Sequence, residues 1–492
     1  MRGDVLDRRR AGILLHPTSL PSGVLGPDAF RFVDFMLASG LSVWQTLPLG
    51  PTHDDGSPYQ CLSVHAGNTR LISLELLAEQ GWLSPEAALA DNADMAIYRR
   101  AQLEEARRGF AQYASAEEHA EFAAFALSQA HWLDDFALYQ ALRHEQGGYS
   151  WVDWPVPLRD RAAHALRDAR KRLADAIEQA CFEQFLFFRQ WQSLKRHANA
   201  RGILLFGDMP IFVAHDSADV WAHRDHFLLD EQGRAQVVAG VPPDYFSATG
   251  QRWGNPHYQW QRMQDDGFRW WTERMVTQLA LFDMVRVDHF RGFEAYWEIP
   301  AQSHTAVDGR WIKAPGDELF STLRKTFDPL PLVAEDLGII TPEVEALRKK
   351  YRLPGMKILQ FAFEGGPGNP YLSHNHMPNG VVYTGTHDNN TTAGWFEDLP
   401  HAAQEHVLEY LGHPQEPMPW PLMRCAFASV ARLAVIPMQD ALALDGEHRM
   451  NLPGTTEGNW RWRFSWEQIP DDLSSCLRRM VEMYGRVGVA LL

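Results

Sequence analysis

Short apolar runs, each followed by polar residues, alternate along the chain with segments whose apolar residues recur every three or four positions. The runs predict buried strands and the periodic segments predict helices. The strand candidates are residues 12–17, 43–49, 202–213, 283–290, 332–338, 356–363, 380–388 and 432–442. Because strands that alternate with helices form parallel sheets, and eight such strands close into a ring, the pattern predicts an α/β fold of the (β/α)8 TIM barrel type.

The length of the chain predicts large insertions into this barrel. A plain barrel takes about 250 residues, whereas the chain has 492. Residues 76–200, approximately, are rich in Ala, Glu, Gln, Leu and Arg, which favours an inserted helical subdomain on the barrel rim. Residues from about 214 to 266 are rich in Gly, Pro and aromatic residues, which is typical of long loops, and we expect them to form a lid-like insertion. We therefore predict one catalytic barrel over residues 1–492 with two insertions.

Charge and cysteine content narrow the classes of partner. The formal net charge is −16, which repels phosphate groups and argues against nucleic acid or an anionic membrane as a partner. The four cysteines contain no CxxC pair, so neither a zinc-binding cysteine motif nor a disulfide framework is indicated. The apolar run near the N-terminus is too short for a signal peptide or a membrane span. We expect a cytoplasmic protein.

Carboxylates occupy the ends of four predicted strands: Asp208, Asp288, Glu335 and Asp388. The C-terminal ends of barrel strands meet at one mouth, so these side chains should converge there. A single acidic residue at a strand end has an ordinary explanation as a turn or cap residue. Several together repel one another, which indicates a site that uses them.

Two carboxylates beside one bond are the equipment of glycoside cleavage. Arg286 lies two positions before Asp288, on the same side of the strand, and a cation there favours an ionised nucleophile. Glu335 follows an apolar run and would face that anion, so its pKa should rise, as a general acid/base requires. Asp388, with His387, would bind sugar hydroxyls and stabilise a cationic transition state.

A metal-dependent hydrolase is the competing chemistry. His289 adjoins Asp288 and His387 adjoins Asp388, which gives ligand types found in metal sites. Adjacent residues of a strand point to opposite faces, so we expect neither pair to share an ion. There is no HExxH motif either. We predict no metal and no cofactor.

The chain also carries long ordered motifs around these residues. They run from residue 12 to residue 463 and are GILLHPTSLPSG, SPYQCLSVHAGN, FGDMPIFVAHDSADVW, PPDYFSATGQRWGNPHY, VRVDHFRGFEAYWEIPA, VAEDLGIITPEV, LPGMKILQFAF, VYTGTHDNNTT and MNLPGTTEGNWRWR. Together they resemble the 4-alpha-glucanotransferase family, also called amylomaltase or disproportionating enzyme, within the alpha-amylase group of barrels.

The resemblance implies retaining transfer of an α-1,4-glucan segment from a donor to glucose or another α-1,4-glucan, with maltooligosaccharides among the substrates. It makes Asp288 the nucleophile that carries the covalent glycosyl intermediate, Glu335 the acid/base and Asp388 the transition-state stabiliser. The further residues that it implies around the substrate are Ser57, Tyr59, Asp208, Arg286, His387 and Asn459 at the reacting sugar, and Gln251 and Trp253 on the acceptor side.

Several alternatives remain at the level of sequence. An α-1,4-glucan hydrolase would use the same carboxylates, and an inactive sugar-binding protein would keep the same fold. Tyr59 is also consistent with an aromatic residue that only packs on the rim, and Asn459 with a turn cap.

Overall fold

The computed structural model describes residues 6–86, 95–243 and 247–488. Within them the strands are, in chain order, β1 Arg10–Leu14, β2 Val43–Gln45, β3 Leu204–Pro210, β4 Val237–Val241, β5 Gln251–Pro256, β6 Met284–Asp288, β7 Ala295–Pro300, β8 Arg310–Lys313, β9 Leu332–Ala334, β10 Gly355–Ile358, β11 Gly380–Tyr383 and β12 Leu433–Pro437.

The α-helices of the same residues are α1 Pro27–Ala38, α2 Leu74–Glu79, α3 Met95–Tyr113, α4 Ala116–Glu145, α5 Val156–Arg159, α6 Ala163–Arg172, α7 Ala174–Ala200, α8 Ala218–Ala222, α9 Trp260–Asp265, α10 Arg269–Leu281, α11 Gly316–Thr326, α12 Pro342–Lys350, α13 Thr392–Asp398, α14 His401–Tyr410, α15 Trp420–Ala428, α16 Met438–Ala441 and α17 Leu473–Met483. None of the helices described is both long and apolar enough to cross a membrane.

Eight of the strands form a closed parallel barrel. β1, β2, β3, β6, β9, β10, β11 and β12 pair in that order, and β12 pairs with β1 to close the ring. Each of them overlaps one of the predicted segments, so the (β/α)8 fold is confirmed. One hydrophobic cluster takes a residue from every barrel strand, namely Leu14, Val43, Phe206, Met284, Val333, Met356, Val381 and Leu433. The apolar character of these runs therefore comes from burial inside the ring as well as against the helices.

A buried arginine stabilises the seam of the barrel, which is the pairing of the first strand, β1, with the last, β12. Arg486, which follows α17, is 0% exposed and donates to the carbonyls of Arg10 in β1 (3.0 Å) and Phe427 in α15 (2.7 Å). It also donates to the carbonyl of Ser429 at 2.6 Å. Burial lowers the pKa of Arg486 to about 9, and these carbonyl acceptors replace the water that the guanidinium has lost.

Helices fill the segment between β2 and β3. The long helices α4 and α7 have 30 and 27 residues and pack against each other. α7 also packs on β3 and α1, so it contributes to the helical layer of the barrel as well as to the inserted helices. Gln184 of α7 exchanges two hydrogen bonds with the backbone of Gly67, at 2.8 and 2.9 Å, and ties α7 to the loop after β2.

Regular structure lies within the segment 214–266, for which the composition predicts long loops. β4 and β5 lie in it, and they join β7 and β8 in a four-stranded antiparallel sheet of order β5-β4-β7-β8. The description as long loops is therefore incomplete: β4 and β5 pair with each other inside the segment, and β4 also pairs with β7, which lies outside it. Residues 244–246 of this insertion lie outside the described residues.

The approach of α7 to the loop after β2 generates a stability prediction. A Cβ atom at Gly67 would lie 1.9 Å from the ring of the buried Phe187. We expect Gly67→Ala to destabilise the protein by about 1–3 kcal/mol through overpacking, measured as a lower midpoint of urea unfolding. Gly366→Ala is the control, since nothing lies within 4 Å of its added Cβ. Equal midpoints for the two variants would contradict the prediction.

Candidate active site

The barrel register brings the predicted carboxylates together at the C-terminal mouth. β3 pairs with β6 so that Asp208 lies opposite Arg286, and the end of β3 lies opposite Asp288. β6 pairs in turn with β9, and the N–H of Glu335 donates to the carbonyl of Val287 at 3.0 Å. Strand pairing therefore places Asp208, Asp288 and Glu335 at one mouth, whereas Asp388 lies in the turn that follows β11.

Arg286 is the centre of the charge network. Its Nη1 donates to both carboxylate oxygens of Asp208, at 2.8 and 2.7 Å, and its Nη2 donates to Oδ1 of Asp288 at 2.8 Å. Burial alone would lower the pKa of Arg286, but Asp208 and Asp288 hold it well above its ordinary value. The guanidinium therefore stays charged and gives Asp288 a fixed counter-ion.

Tyr59 belongs to the same network. Its hydroxyl donates to Oδ2 of Asp208 at 2.7 Å, and its ring stacks on His387 with centroids 5.2 Å apart. Burial, together with Asp208, raises the pKa of Tyr59 well above its ordinary value, so the hydroxyl remains a donor. Trp460 lies against the same pair, 6.1 Å from the Tyr59 ring. Tyr59 is therefore more than a rim-packing aromatic residue.

Glu335 lies beside Asp288 in an environment that suits proton transfer. Burial raises its pKa to about 7; Arg286 opposes this shift and Asp288 adds to it. Its Oε2 accepts from the backbone N–H of His289 at 2.7 Å, and its Oε1 accepts from that of Leu337 at 2.9 Å. Near neutral pH both forms of Glu335 are populated, as a residue that alternates between acid and base requires.

Asp388 shows the opposite behaviour. Its Oδ2 lies 3.3 Å from Nε2 of His387, and its Oδ1 accepts from Nδ2 of Asn451 at 2.7 Å. Loss of surrounding water would raise the pKa of Asp388, whose side chain is nevertheless 48% exposed, but His387 and Asn451 outweigh this effect and hold the pKa below its ordinary range. Asp388 is therefore ionised throughout the neutral range, as the stabilisation of a positive transition state requires.

Gln251 and Trp253, which the resemblance places on the acceptor side, both lie on β5. Nε1 of Trp253 donates to Oε1 of Gln251 at 3.1 Å. The Trp253 ring meets the His289 ring edge to face, with centroids 4.9 Å apart and an interplanar angle of 89°. β5 thus reaches the residue that directly follows Asp288.

Ser57 and Asn459 act within their own loops in this structure. The Oγ of Ser57 accepts from the backbone N–H of Tyr59 at 3.4 Å. Asn459 accepts from the N–H of Leu452 at 2.9 Å and donates to the carbonyl of Thr455 at 3.0 Å. Direct sugar contacts of Ser57 and Asn459 stay predictions.

One assumption behind the metal argument is wrong. His387 and Asp388 contact each other, because they lie in a turn beyond the end of β11, where the alternation of strand side chains no longer applies. In the described parts of the chain, no group of three or more His, Cys, Asp or Glu side chains has an arrangement that could hold a metal ion.

Sequence reasoning missed three functional neighbours: His289, Arg449 and Asn451. The sequence indicates His289 only as a possible metal ligand, whereas in the structure its backbone N–H donates a hydrogen bond to Glu335. Asn451 follows Asp388 by 63 residues, and Nη2 of Arg449 donates to the backbone carbonyl of Asp388 at 2.9 Å. The available signal for Asn451 was its place in the motif MNLPGTTEGNWRWR.

Comparison with known proteins decides the family. A family model described as 4-alpha-glucanotransferase matches residues 15–468. The 4-alpha-glucanotransferase of Thermus thermophilus is 51% identical over 496 residues, which cover 97% of this chain and 99% of that protein. The chain belongs to the 4-alpha-glucanotransferase family.

Two further relatives agree with this assignment. The 4-alpha-glucanotransferase of Synechocystis sp. is 50% identical over 503 residues, covering 98% of this chain and 99% of that protein. The solved structure of the amylomaltase from Streptococcus agalactiae in complex with acarbose superposes with a TM-score of 0.94 at 36% identity, covering 98% of this chain and 100% of that one. The resemblance and the predicted 4-alpha-glucanotransferase activity are confirmed, and the hydrolase alternative is not favoured.

The bond between Asn451 and Asp388 generates a prediction for this member of the 4-alpha-glucanotransferase family. Asn451→Ala removes a donor to an ionised carboxylate, an interaction that contributes about 1.5–3 kcal/mol. We expect kcat for maltotriose disproportionation to fall about 10- to 100-fold with a smaller change in KM, measured by initial rates of glucose release.

A matched variant controls for the loss of an amide elsewhere. Asn375 donates to the carbonyl of Pro367 at 2.8 Å in a surface loop, and Asn375→Ala should leave kcat unchanged. If both variants keep the parental kcat, Asn451 does not support Asp388.

Proposed function

We propose that the protein transfers α-1,4-glucan segments from a glucan or maltooligosaccharide donor to glucose or another α-1,4-glucan by a retaining double displacement. The observation that carries this proposal is the pairing of two unlike carboxylates on neighbouring strands. Asp288 has the permanent counter-ion Arg286, at 2.8 Å, whereas burial raises the pKa of the adjacent Glu335 to about 7. Such a pair provides a nucleophile and an acid/base.

In the first half-reaction, protonated Glu335 gives its proton to the glycosidic oxygen while a carboxylate oxygen of Asp288 attacks the anomeric carbon. The glycosidic bond breaks, the reducing-end portion leaves as an alcohol, and the donor segment remains as a glycosyl ester of Asp288. Ionised Asp388 stabilises the positive charge that develops on the sugar ring.

In the second half-reaction, the Glu335 carboxylate takes the proton of the acceptor 4-hydroxyl. The acceptor oxygen attacks the anomeric carbon, the ester bond to Asp288 breaks, and Glu335 is again protonated. Two inversions at one carbon retain its configuration.

The substrates are neutral, which agrees with a chain of net charge −16. The solved structure of the Streptococcus agalactiae amylomaltase is a complex with acarbose, which supports a sugar-binding site in this chain as well. We place the reaction in the cytoplasm, and the four free cysteines support a reducing compartment.

Transfer competes with hydrolysis for one intermediate, since water reaches the same glycosyl ester. Transfer prevails when the acceptor makes contacts that water cannot make. We propose that β5, with Gln251 and Trp253, closes over the bound acceptor as a lid. Gly250 and Gly254 flank these residues with φ values of +67° and +85°, a region that side chains disfavour and that glycine adopts freely.

The catalytic assignment has a direct test. We expect Asp288→Asn to abolish activity, because an amide cannot form the glycosyl ester. Glu335→Gln should lose turnover of natural glucans, yet still accumulate the ester from a glycosyl fluoride, whose leaving group needs no acid. Mass spectrometry of a peptide digest locates the adduct, and an adduct on any residue other than Asp288 would refute the assignment.

The lid has a separate test. The double variant Gln251→Ala, Trp253→Ala should lower the ratio of transfer to hydrolysis on maltotriose, measured as new oligosaccharides against new reducing ends. Arg252→Ala is the control, because this neighbouring side chain donates to the carbonyl of Ala301 instead. An unchanged ratio in the double variant would exclude the lid, whatever happens to the total rate.

A further inference from the structure

One residue joins the acceptor-side strand to the acid/base. The backbone N–H of His289 donates to Oε2 of Glu335 at 2.7 Å, while the ring of His289 meets the Trp253 ring at 4.9 Å. Trp253 lies on β5, whereas Glu335 follows β9, and these strands belong to different sheets. His289 therefore gives β5 a short physical connection to the carboxyl group that moves the proton.

The conformation of His289 depends on its surroundings. Its φ is +52° and its ψ is +49°, a left-handed conformation that non-glycine residues adopt rarely and keep only where neighbouring groups impose it. Among the described residues, its buried Nε2 has no hydrogen-bond partner. The ring instead packs against Trp253 and Phe212, whose centroid lies 6.3 Å away. Ring packing thus contributes to the orientation of the His289 peptide.

We propose that His289 is a positioning residue that couples the position of Trp253 on β5 to the proton affinity of Glu335. The proposal rests on the function proposed above. An acceptor sugar that binds against Trp253 fixes the position of the His289 ring. This strengthens the hydrogen bond that the backbone N–H of His289 donates to Glu335. Because this bond favours the ionised carboxyl, acceptor binding promotes the form of Glu335 that accepts the proton of the acceptor hydroxyl.

The other groups around Glu335 do not make this connection. Asp288 and Arg286 face it from β6, and Tyr371 faces it from the loop after β10. Burial lowers the pKa of His289 to about 4, so its ring is neutral at working pH and acts through position rather than charge. Of these groups, His289 is the one whose ring contacts Trp253.

A double-mutant cycle tests the coupling. The variants are Trp253→Ala, His289→Asn and their combination; asparagine tolerates the left-handed conformation and keeps the N–H. The measurement is the basic limb of the pH profile of kcat/KM for maltotriose, whose alcohol leaving group needs a proton, so that the limb reports protonated Glu335 in the free enzyme. Each single variant should move this limb upward by about 0.3–1 pH unit, because a weaker N–H bond disfavours the ionised carboxyl.

Non-additivity is the decisive result. If the ring contact carries the coupling, the double variant shifts the limb no further than the larger single shift. Additive shifts, or no shift in either single variant, overturn the proposal. Trp253→Phe keeps an aromatic ring at the contact and should show the same basic limb as the parent protein, which excludes general loosening of the fold as the cause of the shifts. Arg252→Ala is a second control and should not move the limb.

A parallel variant separates this proposal from the proposed function. Glu335→Gln should keep only a small residual turnover of maltotriose, and this residual rate should no longer depend on pH in this range. If that variant keeps the parental basic limb, the assignment of Glu335 fails. If the limb disappears there while the Trp253 and His289 variants leave it unmoved, the coupling alone fails.

Discussion

One buried guanidinium makes the rest of this site possible. At the barrel mouth, Arg286 bonds the carboxylates of Asp208 and Asp288 simultaneously. Without a fixed cation, carboxylates so close together in a poorly solvated pocket would repel one another and take up protons. The register of β3 with β6 places Asp208 opposite Arg286, so the geometry of the barrel itself maintains this neutralisation.

Around this fixed charge, the same chemical group serves in two ways. Burial raises the pKa of Glu335, whereas His387 and Asn451 hold that of the half-exposed Asp388 below its ordinary range. The environment of each carboxyl, more than its identity, therefore assigns its task. Burial and Asp288 raise the pKa of Glu335 although the N–H groups of Leu337 and His289 oppose the shift, whereas the segment from Arg449 to Asn451 holds Asp388 in place.

Sequence predicted the parts of this structure that depend on local pattern. Apolar runs located the barrel strands, and acidic residues at their ends located the carboxylates, because both signals lie within a few neighbouring residues. The sequence does not predict the sheet that contains β4 and β5, because the pairing of β4 with β7 joins residues that are far apart in the sequence. The sequence does not predict the roles of His289 and Asn451 for related reasons. His289 acts through its backbone N–H, and Asn451 lies 63 residues from its partner Asp388.

The seam held by Arg486 bears on how the protein is made. β1 is the first of the barrel strands to be synthesised, yet its partner β12 is the last of them and Arg486 follows β12. The ring therefore cannot close during most of synthesis, and β1 has an unpaired edge throughout that interval. Such an edge favours aggregation until its partner arrives. Closure of the ring therefore waits until β12 and Arg486 have been synthesised.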